Sequence, residues 1–139
     1  MAKKARMTEK ERVEAMLRRE KPDRVPLWPF GGAVGFCMVY TKTSIADAYN
    51  KPEVSLAGQR KTCQDFGWVF TPVNGYAAFG GWEFGGGMKW PGGEFMQAPA
   101  LMRHPVETEE DAWNLKKPDV KTAGFIPLMM EFYKLSSQE

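Results

Sequence analysis

Two cysteines, Cys37 and Cys63, and a single histidine, His104, are the only residues of their kind in this 139-residue chain. Local zinc sites and dithiol redox sites carry short Cys/His spacings such as CxxC, and none is present, so neither a metal site nor a disulfide framework is expected. The two thiols read as buried or idle. The other material able to do chemistry lies between Asn74 and Ala100, a stretch without one Val, Leu or Ile. Eight glycines stand there among six large aromatics, Tyr76, Phe79, Trp82, Phe84, Trp90 and Phe95. Flat rings on pliant backbone admit two readings, an aromatic-pinned surface hairpin shielding a sheet edge or a loop facing a ligand at a strand's carboxyl end. Both remain open at this level, and no general acid, base or nucleophile stands out.

The elements that must hold these residues begin with a helix. Thr8 followed by Glu11 forms a capping box, and Val13, Met16 and Leu17 make an apolar stripe, which predicts a helix over about 9–20 ended by Pro22. "RVPLWPF" (24–30) is pushed into extended conformation by Pro26 and Pro29 and is expected to be a strand. The following "GGAVG" puts flexible backbone at its carboxyl end. Ser44 with Asp47 caps a short helix through Tyr49, Pro52 starts another that runs to about Asp65, and Gly67 ends it. "WVFTPV" (68–73) then reads as a second strand covered on both faces. The order helix, strand, helices, strand predicts a parallel α/β sheet with a right-handed crossover.

A loop as long as 74–100 without structure of its own would be unusual in a compact domain. "WEFGGGMKW" is therefore expected to fold as a β-hairpin excursion, with Trp82 and Phe84 across from Met88 and Trp90. Thr108 and Asp111 form another capping box for a short helix closed by Pro118. The last helix carries Ile126, Met129, Met130 and Tyr133 on one stripe and Leu128, Phe132 and Leu135 on other faces. Such an all-round apolar helix belongs inside a larger body.

Composition narrows the class. Val, Leu, Ile and Phe together make up 27 of the 139 residues, while five Trp and nine Met carry much of the apolar surface, and the formal net charge is only +2. A balanced charge without a basic stripe gives no nucleic-acid footprint. No apolar run approaches the roughly 18–20 residues needed to span a bilayer, and "MAKKARMTEKER" leads into a charged helix rather than a signal-peptide core. A cytoplasmic protein without membrane partners is expected. Two strands do not make a stable parallel sheet, so more chain or a partner is expected to complete it.

Two stretches resemble one family. "TEKERVEAMLRREKPDRVPLW" (8–28) resembles the opening of the uroporphyrinogen decarboxylase superfamily, where an ERV-type helix leads through PDRVP into the first barrel strand. "HPVETEEDAWNLKKPDV" (104–120) is similar to the same family's P-V-x-T-x-E-D segment. The resemblance implies a fold class of α/β, the chain being the N-terminal part (1–139) of a TIM (β/α)8 barrel, with a Gly/aromatic β-hairpin inserted over 74–100. Members that decarboxylate porphyrinogens follow the first strand with an arginine-bearing loop and carry an aspartate on the second. The corresponding stretches here, "PFGGAVGF" (29–36) and "FTPVNGY" (70–76), have neither.

The chain resembles more closely the family's corrinoid-linked methyltransferases. The resemblance then implies methyl transfer between a corrinoid protein carrying methylcobalamin and a small-molecule donor or acceptor, such as coenzyme M, tetrahydrofolate or a methoxylated or methylamine compound. Zinc, held in thiol-methylating members by an H-x-C motif in later strands, is implied for the full-length protein only. Cys37, Cys63 and His104 match nothing in that motif, so this chain alone is expected to bind no cofactor and no metal and to be inactive. Because barrel sites lie at the carboxyl ends of strands, the expected binding residues are Phe30, Gly31 and Gly32 after strand one and Asn74 and Tyr76 after strand two. Trp82, Glu83 and Trp90 are expected at the mouth. Each has a plainer reading: packing for Phe30 and Trp90, turn geometry for Asn74-Gly75, a solvent-facing strand position for Glu83. The alternatives to the methyltransferase are a non-enzymatic truncated or split subunit that pairs with the remaining barrel half or as a homo-oligomer, and a uroporphyrinogen decarboxylase proper.

Overall fold

The computed structural model describes residues 7–29, 34–76, 78–92 and 98–138. Helix α1 (Glu9–Leu17) starts at the expected capping box: the Thr8 hydroxyl accepts the Glu11 N–H at 3.2 Å, and the Glu11 carboxylate accepts the Thr8 N–H at 2.6 Å. It stops earlier than predicted, because Arg19 takes a left-handed φ of 60° and the Glu20 N–H turns back to the Ala15 carbonyl.

The buried face of α1 is not the predicted stripe. Met16 and Leu17 are exposed, and Glu9, Arg12, Val13 and Ala15 are buried. The reason is an ionic latch. The Arg12 guanidinium grips Asp23 with two hydrogen bonds, 2.6 and 3.1 Å, and donates a third to Glu9 at 3.1 Å. Glu9 in turn accepts the Leu27 N–H at 2.7 Å and is paired with Arg24. The two halves of the 8–28 stretch are thus bonded to each other, and this network sets which side of α1 turns inward.

Residues 25–29 and 68–73, expected to be the strands of a parallel sheet, have no regular secondary structure and form no backbone ladder among the described residues. They are joined side chain to side chain, the Trp28 indole N–H donating to the Thr71 hydroxyl at 2.8 Å. Between them only Val34 and Gly35 of the expected flexible stretch 31–35 are described, and they open helix α2 (Val34–Thr41), followed by α3 (Ile45–Asn50) on its Ser44 cap and α4 (Pro52–Phe66). Gly67 ends α4 in left-handed conformation, φ 64°. A small core gathers Cys37, Met38 and Ala48 with Val34 and Ile45, and α4 packs against α2, α3 and the last helix.

The one sheet among the described residues is antiparallel, β1 (Gly87–Lys89) with β2 (Ala100–Arg103). Pairing of 82–84 with 88–90 is not formed, because 78–86 winds through successive turns, with the Phe84 N–H on Gly80 and the Gly86 N–H on Gly81. A Cβ at Gly86 would lie 2.5 Å from the Gly81 carbonyl oxygen and 2.8 Å from that of Arg103. Only glycine lets the coil and the hairpin meet there. Helix α5 (Glu109–Asn114) has the predicted Thr108/Asp111 capping box and buries nothing. Helix α6 (Ile126–Ser136) buries Phe132 and leaves Met130 and Tyr133 exposed.

Candidate functional site

Helix α4 places the first side chain of the site. Its inward positions 52, 55, 56, 59, 62 and 63 follow helical spacing, yet three of them are Ser55, Gln59 and Thr62. Gln59 is fully buried. Its amide donates to the Val73 carbonyl at 2.7 Å and to the Ser55 hydroxyl at 3.1 Å, and its oxygen accepts the Val73 N–H at 3.1 Å. This carboxamide does for Val73 what a neighbouring strand would do.

Asn74 follows directly and is 6% exposed, and its Nδ2 is buried with no hydrogen-bond partner among the described residues. Neither Asn74 nor Gly75 has positive φ, so the pair is not the type I′ turn its sequence offers. At Tyr76 the chain reaches an aromatic and carboxylate node. The phenol O–H donates to Glu83 Oε1 at 3.2 Å, and the ring lies edge-to-face with Phe125, centroids 5.0 Å apart. Burial, then the neighbouring Glu83 charge and hydrogen bond, push the phenol's ionisation well above its ordinary range.

Glu83 departs from its plainer reading as a solvent-facing strand residue. It is 6% exposed rather than solvent-facing, because period-two alternation does not apply in a stretch that coils. Besides the phenol it accepts the Phe125 N–H at 2.9 Å and the Gly80 N–H at 2.6 Å. Three donors on two oxygens make it an anchor between the Gly/aromatic block and the start of α6. Gly124 allows this closeness. At φ 52° its Cβ would stand 2.7 Å from Glu83 Oε1 and 2.8 Å from the Glu83 nitrogen.

Trp82 meets Trp90 edge-to-face with centroids 5.2 Å apart, both rings half-buried. The structure therefore joins Tyr76 to Glu83 and Trp82 to Trp90, and leaves Asn74 with an unspent donor. Phe30, Gly31 and Gly32 lie outside the described residues. Sequence reasoning missed Gln59, Gly124 and Phe125. A polar residue on an otherwise ordinary helix gives no sign that it faces inward, whereas a Gly just before a helix with no N-cap side chain was a usable signal at Gly124.

A separate cleft of about 460 Å³ lies between the start of α1 and the end of α4, lined by Thr8, Arg12, Cys63 and Trp68 among others. Its Arg12, Glu9 and Arg24 are spent on one another and on Asp23. Cys37 and Cys63 are buried, and burial pushes both thiols up, away from the thiolate a zinc ligand needs. Among the described residues no three His, Cys, Asp or Glu side chains group to hold a metal, so these residues do not fit a zinc site. No helix among them is long and apolar enough to cross a membrane.

Comparison with curated proteins and with solved structures found no match. A family model described as uroporphyrinogen decarboxylase (URO-D) matches residues 8–139, which takes in the α1 latch, the Gln59 clamp and the Tyr76–Glu83 node. The chain belongs to the uroporphyrinogen decarboxylase family, whose fold is the TIM barrel.

Proposed function

We propose that the chain is the N-terminal portion of a corrinoid-dependent methyltransferase of this family, moving a methyl group between a corrinoid protein and a small donor or acceptor of the coenzyme M, tetrahydrofolate, methoxylated or methylamine kind. The Gly/aromatic block, a coil over 78–86 leading into the β1–β2 pair, would then be an insertion after the second barrel strand. One observation carries the reading: Asn74 offers a neutral donor in its buried Nδ2, while the buried acid, Glu83, is engaged by three hydrogen bonds and the α4 cation next to Gln59, Arg60, lies against the Phe70 ring. The 29–36 and 70–76 stretches add neither arginine nor aspartate. A porphyrinogen with many carboxylates needs cations, and burying such charges without them is costly.

A neutral, amide-rimmed corrin suits the residues present better. Asn74 would donate to an amide or carbonyl oxygen, and the Trp82 and Trp90 rings would give apolar surface that excludes water. When bound, a corrinoid supplies a methyl group carried on cobalt. The Tyr76–Glu83–Phe125 bonds would keep the ring-bearing coil in place meanwhile. A second reading, pairing with a barrel half or a second copy, is favoured by the 25–29 stretch, where Val25 is 83% exposed and no ladder partner stands among the described residues.

The test is an assay of the protein, alone and with the product of any reading frame downstream of Glu139. It follows demethylation of methylcobalamin by a thiol or tetrahydrofolate, and decarboxylation of uroporphyrinogen. Methyl transfer without decarboxylation is the expected result. Decarboxylation without methyl transfer overturns the proposal, and complementation by a partner with neither activity favours the pairing subunit.

A further inference from the structure

We infer that Gln59 is a positioning residue of the binding site, acting through Val73 to aim Asn74 as the donor that selects a ligand by a neutral oxygen acceptor. The inference rests on the proposed function only for the choice of ligand.

Three observations carry it. Gln59 is 0% exposed and takes both backbone groups of Val73 in a two-point grip, which fixes that peptide in register and in orientation. Its amide is itself braced by Ser55 one helical turn earlier, so the grip is rigid. The next residue, Asn74, is more than nine-tenths buried and has an Nδ2 without a partner among the described residues. A buried donor left unmade is unfavourable in the free protein, and a ligand oxygen that meets it recovers that cost. Rotation of the Val73–Asn74 peptide would swing the donor away. The group holding that peptide is not a sheet neighbour but one side chain of α4.

The chemistry of the acceptor follows from the surroundings. The 70–76 stretch holds no Lys, Arg or His, and the same chain segment leads to the Glu83 carboxylate. An anionic ligand oxygen would have to draw on Arg60, which lies over the Phe70 ring 5.6 Å from its centroid, whereas an amide, carbonyl or ether oxygen needs no counter-charge. Asn74 is thus placed to discriminate by hydrogen bonding rather than by charge.

The experiment is a double-mutant cycle on binding by the chain together with the product of any reading frame downstream of Glu139, read by calorimetry with methylcobalamin and, separately, with a porphyrin tetracarboxylate as probes. Asn74→Leu removes the donor and is expected to weaken methylcobalamin binding about tenfold to a hundredfold. Gln59→Leu is expected to weaken it by a similar factor in the native background and not at all in the Asn74→Leu background. A residue that only stabilised the fold would act independently of Asn74. Where Gln59→Leu fails to fold, Gln59→Glu serves. It keeps the acceptor for the Val73 N–H but lacks the donor to the Val73 carbonyl when ionised, so its binding should tighten as pH falls. Methylcobalamin binding indifferent to Asn74→Leu, or additive losses in the cycle, overturns the inference and leaves the methyltransferase reading standing. Binding of the tetracarboxylate alone, with the same non-additive pattern, overturns that reading and keeps the two-residue coupling while overturning the neutral-acceptor assignment. Binding of neither probe overturns both.

Discussion

Gly124→Ala is the substitution whose consequence the structure specifies most sharply. Two costs combine. A non-glycine residue at φ 52° costs about 1–2 kcal/mol in backbone strain. The new methyl would also stand 2.7 Å from Glu83 Oε1, 2.8 Å from the Glu83 nitrogen and 2.9 Å from its Cδ. The carboxylate can rotate away, but the backbone nitrogen cannot, so relief requires moving the 78–86 coil relative to α6. That movement breaks the hydrogen bond from the Phe125 N–H to Glu83, at about 1–3 kcal/mol for a buried group left unpaired. The expected total is about 2–5 kcal/mol. Gly67→Ala is the control, since Gly67 has φ 64° with nothing within 4 Å of its would-be Cβ and should pay the backbone strain alone, about 1–2 kcal/mol. Urea unfolding followed by tryptophan fluorescence measures both, and Gly124→Ala should lower the midpoint clearly more than Gly67→Ala. Equal losses at the two positions would refute the packing of Glu83 against Gly124.

Other perturbations test other joints. Arg12→Ala strands the Glu9 and Asp23 carboxylates without their shared cation and should lower the urea midpoint substantially, while Glu14→Ala, which touches only the exposed Lys10 pair, should leave it unchanged. The Tyr76 phenol, held protonated above its ordinary value of 10.0, contributes stability fully present below pH 10 and lost as pH rises towards its folded value. Tyr76→Phe should therefore flatten the alkaline fall of stability above pH 10, and an unchanged fall would remove the buried assignment. Thr108→Ala removes the cap whose hydroxyl and backbone hold Asp111 below the usual carboxylate range. Stability from that depressed group is present above its unfolded pKa and lost as pH falls through the folded one, so the variant should lose less on acidification than the native protein.

Helix starts were the legible part of the fold. Thr8 with Glu11, Ser44, Pro52 and Thr108 with Asp111 each satisfy backbone groups within their own turn, so they act wherever the chain places them. Helix α2 was not legible, because "VGFCMVYT" has β-branched residues and no side-chain cap in the described residues, and its helicity comes from packing on α4. Of the site, Tyr76 was placed after the second strand and Trp82, Glu83 and Trp90 at the barrel mouth by the family resemblance, and only the plainer reading of Glu83 put it in solvent. Alternation predicts a face only for a strand, and eight glycines in 74–100 let the backbone coil instead.

Three inward polar residues share one task. Glu9 accepts the Leu27 N–H, Gln59 holds both backbone groups of Val73, and Glu83 accepts the Phe125 and Gly80 N–H groups. Each lies beside an extended or coiled segment with no ladder partner at that peptide among the described residues. A buried backbone group must be paired by something, and where no strand supplies the partner a side chain has to. The result is a chain poor in aliphatic residues that still fixes its extended segments at single, nameable points. Such points make the site rigid where it is gripped and sensitive to one substitution at each grip. Asn74, between the clamped Val73 and the anchored Tyr76, stands where two of these grips meet.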